Sequence, residues 1–107
     1  MEWITIIYYD KAVRDLIPKI IKESGRTCKT KTLSDDEFLS YLEVKLGEEK
    51  QEYNESKSLM ELADLLEVIY RVAELHGSSK KELEKLRQDK NIERGGFQKN
   101  IVLLTVQ

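Results

Sequence analysis

Helical spacing organises the apolar positions from Ser34 onward. Leu42, Leu46 and Tyr53 fall on one stripe, and Glu49 occupies the same stripe where a core residue is expected. The following run, Glu61-Leu-Ala-Asp-Leu-Leu-Glu-Val-Ile-Tyr, is nearly continuous in apolar residues, with Leu59, Leu62, Leu66, Ile69 and Ala73 as its core stripe. Ser34, Ser58 and Ser79 precede Glu37, Glu61 and Glu82 at capping-box spacing, which predicts helices over 35–55, 58–76 and 80–93. Gly77 and the Gly95-Gly96 pair stand where helices end in a left-handed residue. Only the polar stretch Asn54 to Lys57 separates the first two helices, so they should pack antiparallel as a hairpin. Another helix is expected near Asp15, capped by that residue, with Pro18 in its first turn and Gly25 at its end.

Trp3 to Tyr9, Thr27 to Leu33 and Ile101 to Val106 read as short strands, paired at one edge or between subunits. The expected fold is mainly α. One domain over residues 1–107 contributes a hairpin to a four-helix bundle formed across subunits, with short peripheral β-strands near both termini.

Composition narrows the setting. The chain has 107 residues, enough for one domain with a modest core, and 36 % of them are charged, as amphipathic helices require. A net charge of -2 with no basic stripe argues against binding a nucleic-acid polymer. Cys28 is alone, which suits a reducing cytoplasm, and Trp3 to Tyr9 is too short to span a membrane. The second helix is apolar on most sides (Leu62, Leu65, Leu66, Val68, Ile69, Val72), more than one partner helix can cover. A homo-oligomer, at least a dimer, is expected.

The chemistry lies in two carboxylate pairs. Glu49 and Glu52 share one helix face, Glu61 and Asp64 share another, and the hairpin sets both pairs near its turn at similar depth. Four acids beside a core repel one another and lose solvation unless a cation neutralises them, so they are candidate ligands of a divalent metal. Mg²⁺, which takes oxygen ligands and keeps several waters, fits best, with Mn²⁺ as a substitute. Glu48, next to Glu49, either orients and deprotonates a water or faces solvent. The plainer reading of these acids is a solvated face, with Glu61 acting only as the capping partner of Ser58.

The residues Glu48-Glu49-Lys-Gln-Glu52, followed by Glu61-Leu-Ala-Asp64, resemble the EExxE…ExxD motif of MazG-type all-α nucleoside triphosphate pyrophosphohydrolases. Asp89-Lys90 and Arg94-Gly95-Gly96-Phe97 are similar to the lysine-and-arginine segment that follows the third helix in that family. Lys11-Ala-Val-Arg14-Asp15-Leu-Ile-Pro18 looks like the beginning of its small stand-alone members, the phosphoribosyl-ATP pyrophosphohydrolase-like proteins. The resemblance covers nearly the whole chain. The link between Glu52 and Glu61 is shorter than the family's, however, so the turn must be tight, and Gly47 is unusual inside a helix unless another helix packs closely on it.

The resemblance implies a Mg²⁺-dependent enzyme, assembled as a homodimer or homotetramer, that cuts a nucleoside triphosphate, or a related nucleotide, between its α and β phosphates. Glu48 and Glu49 would be catalytic, and Glu49, Glu52, Glu61 and Asp64 would hold the metal. Lys90 and Arg94, four residues apart on one helix face, would bind phosphate, although cations at a helix end are also favoured by its dipole. Lys11 and Arg14 are further phosphate candidates, or they pair on the surface with Asp10 or Asp15. House-cleaning of the nucleotide pool is the leading expectation. The alternatives are a phosphoribosyl-ATP pyrophosphohydrolase of histidine biosynthesis and a non-catalytic helical adaptor that binds a nucleotide or a protein.

Overall fold

The computed structural model describes residues 5–107. They form four helices: α1 (Ile17–Glu23), α2 (Asp35–Ser56), α3 (Leu59–Leu75) and α4 (Lys80–Arg94). α2 and α3 pack against each other along the hairpin, α4 touches α3 sparingly, and α4 makes no contact with α2.

Serine caps set the three long helices. The Ser34 hydroxyl accepts the Glu37 N–H at 3.3 Å and donates to the Glu37 carboxylate at 2.9 Å. Ser79 accepts the Glu82 N–H at 3.1 Å. Ser58 departs from the expected box, because its hydroxyl accepts from the Met60 N–H at 3.2 Å. Glu61 is therefore not tied to Ser58 as a capping partner, and its carboxylate can serve elsewhere. The α2–α3 turn is as tight as the short link requires: only Lys57 and Ser58 lie between the helices. Lys57 takes a left-handed conformation (φ 55°) and donates its N–H to the Tyr53 carbonyl at 2.8 Å.

Several expectations change. α1 starts later than Asp15; its N-cap is Leu16, with no side-chain cap, and the helix relies on Pro18 in its first turn. The expected strands are absent among the described residues: 5–9, 27–33 and 101–106 are all irregular. Residues 1–4, including Trp3, lie outside the described residues. A strand needs a neighbour's N–H and C=O groups, and no second extended segment is aligned to supply them.

Little of the surface is removed from water within one chain. Among the described residues, Ala12 and Leu42 are the buried apolar ones, joined by the charged Glu49. The assigned core stripe is only partly covered, with Leu59 78 %, Leu62 40 % and Leu66 45 % exposed. The accessible surface is 10203 Å², whereas a compact monomer of this mass would expose about 6,200 Å². The radius of gyration is 18.9 Å, against about 13 Å for a compact domain of this length. The excess over a compact monomer is about 4,000 Å² on that scale.

Gly47 meets no close neighbour, since a Cβ built there finds nothing within 4 Å. Among the described residues, no other helix packs closely on it. Gly47→Ala should therefore raise unfolding stability by roughly 0.5–1 kcal/mol, the helix-propensity difference. Urea melts check this. A loss of stability would instead mean that another subunit packs on Gly47.

Candidate metal centre

The tight turn brings the last turns of α2 beside the first turns of α3, and the acids meet there. One carboxylate oxygen from each of Glu49, Glu61 and Asp64 lies within 4.8 Å of the others. An octahedral Mg²⁺ with bonds of about 2.1 Å sets its ligand oxygens roughly 3–4.2 Å apart, so little closure is needed. Glu52 is exposed and outside this trio. It still adjoins Glu49 and Glu61 closely enough that its charge raises the pKa of both.

Glu49 is the decisive member. It is only 6 % exposed, and its Oε2 is buried with no hydrogen-bond partner. Its other oxygen has Lys45 Nζ at 3.6 Å, within ion-pair range but too long for a hydrogen bond. Burial pushes the Glu49 carboxyl up, the charges of Glu52 and Asp64 push it further, and Lys45 opposes them. Glu61 is raised by desolvation first and by Glu52 next. A buried carboxylate oxygen without a donor costs free energy that a cation would recover. The donor set is all oxygen, as Mg²⁺ or Mn²⁺ requires, so these residues fit a hard divalent ion.

The N-terminal segment supplies cations to the same place. Arg14 Nη2 lies 2.7 Å from Asp64 Oδ1, and Lys11 Nζ lies 3.5 Å from Glu48. Neither pairs with Asp10 or Asp15; Asp10 instead accepts the Tyr41 hydroxyl at 2.8 Å. Glu48 is half-buried beside the cluster, between Lys11 and Lys45, the latter at 3.7 Å. Lys45 escaped the sequence reading. Its signal was its position one turn before Glu48 and Glu49, which places an ammonium over both carboxylates.

Lys90 and Arg94 make no ion pair with the clustered acids among the described residues, and α4 touches α3 but not α2. They lie near the end of α4, where the Gly95 N–H closes on the Asn91 carbonyl at 2.8 Å. Tyr53 and Tyr70 each have a ring face occupied by lysine: Lys57 over Tyr53 at 5.3 Å and Lys80 over Tyr70 at 4.8 Å. Cys28 is a half-buried free thiol, 4.0 Å from the Pro18 carbonyl.

Comparison with known proteins adds one relative. A protein of Mycolicibacterium smegmatis, itself named only as uncharacterized, is 55 % identical over 40 residues, covering 37 % of this chain and 41 % of that protein. No protein-family model matches the chain, and no solved structure matches it. Among the described residues, no helix is long and apolar enough to cross a membrane.

The acid cluster dictates a pH dependence. Folded Glu49 holds its proton more tightly than unfolded glutamate, whose pKa is about 4.3. Between that value and the raised one the native state binds more protons, so stability falls as pH rises through the window. Glu49→Gln loses this contribution and keeps only that of the other raised acid, Glu61. In EDTA, the variant should gain on the wild type as pH goes from 4.5 to 7.5 and be the more stable protein at the upper end. A pH-independent difference in urea stability, or a wild type that gains on the variant, would contradict the repulsive cluster.

Proposed function

We propose that the chain is a Mg²⁺-dependent pyrophosphohydrolase of nucleoside triphosphates or related nucleotides. One observation supports it above the rest: the partnerless buried oxygen of Glu49, set among the carboxylates of Glu61 and Asp64. Water adds to the α-phosphorus, the α–β anhydride bond breaks, and a nucleoside monophosphate and pyrophosphate leave. The metal would neutralise polyphosphate charge, polarise the α-phosphorus and lower the pKa of the attacking water.

Each residue has a task in this reading. Glu49, Glu52, Glu61 and Asp64 hold the ion, and Glu48 beside them orients the attacking water and takes its proton. Lys11 and Arg14 occupy acid partners in the free chain, and polyphosphate competes for both cations as a stronger anion. Lys90 and Arg94 bind the departing phosphates when α4 of another subunit supplies them. Homo-oligomerisation also accounts for the exposed stripe of α3. The lone Cys28 suits a reducing cytoplasm.

The test is release of pyrophosphate from a panel of nucleotides, phosphoribosyl-ATP included, with and without Mg²⁺. Wild-type protein should release it only with the metal, and Glu49→Gln or Asp64→Asn should lower kcat by about 100-fold or more while folding normally. No pyrophosphate from any substrate would leave the adaptor reading in place. Light scattering at micromolar concentration should give at least a dimer; a monomeric mass would contradict the assembly.

A further inference from the structure

A cavity of about 340 Å³ lies between the N-terminal segment and α2, next to Glu49, Glu61 and Asp64 and bordered on that side by Glu48. Its apolar walls include Tyr9, Ala12, Tyr41 and Val44, and Lys11 and Lys45 also line it. The volume falls at the small end of the range for sites that enclose small molecules, about 300–1,000 Å³. The wall is held in shape: Ala12 is buried, and the Tyr41 hydroxyl donates to Asp10 Oδ1 at 2.8 Å. Asp10 keeps a left-handed backbone (φ 45°), which aspartate tolerates better than most residues.

The two lysines join this chamber to the acid cluster. Lys45 Nζ is 3.6 Å from Glu49 and 3.7 Å from Glu48, and Lys11 Nζ is 3.5 Å from Glu48. A ligand filling the chamber meets aromatic and aliphatic surface, the Asp10 carboxylate able to accept from hydroxyl groups, and, on the side toward the metal ligands, two ammonium groups with the Glu48 carboxylate between them. An inorganic polyphosphate has no use for the apolar walls, and an apolar peptide has none for the lysines. A nucleoside phosphate uses both. Resting on the pyrophosphohydrolase reading, we infer that this cavity takes the nucleoside end of the substrate, its α-phosphate passing Lys11 and Lys45 toward Glu49, Glu61 and Asp64.

Val44 tests it best, because it lines the cavity yet is 64 % exposed, so glutamate there leaves the helix intact. Binding of a nucleoside 5′-monophosphate and of inorganic tripolyphosphate is measured calorimetrically in EDTA. Val44→Glu should weaken the monophosphate by about tenfold or more through lost apolar contact and charge repulsion, with tripolyphosphate less affected. Lys11→Ala should weaken both ligands. Mg²⁺-induced thermal stabilisation should persist in both variants. Unchanged monophosphate binding in Val44→Glu overturns the inference, as does wild-type protein that binds tripolyphosphate as tightly as a nucleoside triphosphate. The two readings fail separately. Normal pyrophosphate release with an unchanged KM in Val44→Glu removes the cavity and keeps the enzyme. Monophosphate binding that depends on Val44, without any pyrophosphate release, keeps the cavity as a nucleotide site and removes the hydrolysis.

Discussion

A carboxylate has been placed in the seam between two helices without a hydrogen-bond donor for its inner oxygen. Glu49 stands where the apolar stripe of α2 would put a leucine, and the first turns of α3 add Glu61 and Asp64 to the same point. Lys45 offsets part of the charge at 3.6 Å but leaves Oε2 unpaired. Surface acids ordinarily separate into water; these are held together by the Lys57-Ser58 turn, whose shortness fixes the register of one helix on the other. Stability within the hairpin is thereby exchanged for a concentrated negative field, the condition under which a divalent cation is bound strongly.

Around that point the chain builds a ring of positive charge. Arg14 and Lys11 from the N-terminal segment, and Lys45 from α2, each take one or two of the acids and their neighbours. Such pairs are worth little where exposed. Their consequence is positional, since they fold the N-terminal segment along α2 and shape the cavity beside it. The rest of the molecule is thinly packed. The apolar stripe of α3 and the segment Ile101 to Val106 stay exposed in one chain, and in the proposed homo-oligomer another copy would cover the stripe.

Local rules made much of this legible in the sequence. The serine caps and glycine stops set the three long helices to within a residue or so, because capping chemistry is decided by near neighbours. The gathering of Glu49, Glu61 and Asp64 followed from helical spacing and a short turn, both properties of adjacent residues, while Glu52 stays exposed outside the trio. Three things were not legible. The strands failed because β-rich composition in Thr27 to Leu33 and Ile101 to Val106 states a preference, whereas a strand exists only through a partner. Asp15 failed as a cap because α1 begins after Leu16, with proline rather than a side-chain oxygen in the first turn. The partners of Lys11 and Arg14 are non-local: nothing in the neighbouring Asp10 and Asp15 indicates that Arg14 reaches Asp64, fifty positions along the chain.

The most direct measurement is an amide spectrum of the labelled protein titrated with substoichiometric Mn²⁺, whose unpaired electrons broaden nearby signals. Convergence of the four acids on one divalent ion predicts selective loss of the resonances around Glu49, Glu52, Glu61 and Asp64, restored by excess Mg²⁺ and absent in Glu49→Gln. Resonances of α4 distant from any subunit's acids should survive. Broadening spread evenly over the acidic surface, or equal in Glu49→Gln, would contradict a metal centre at the hairpin turn.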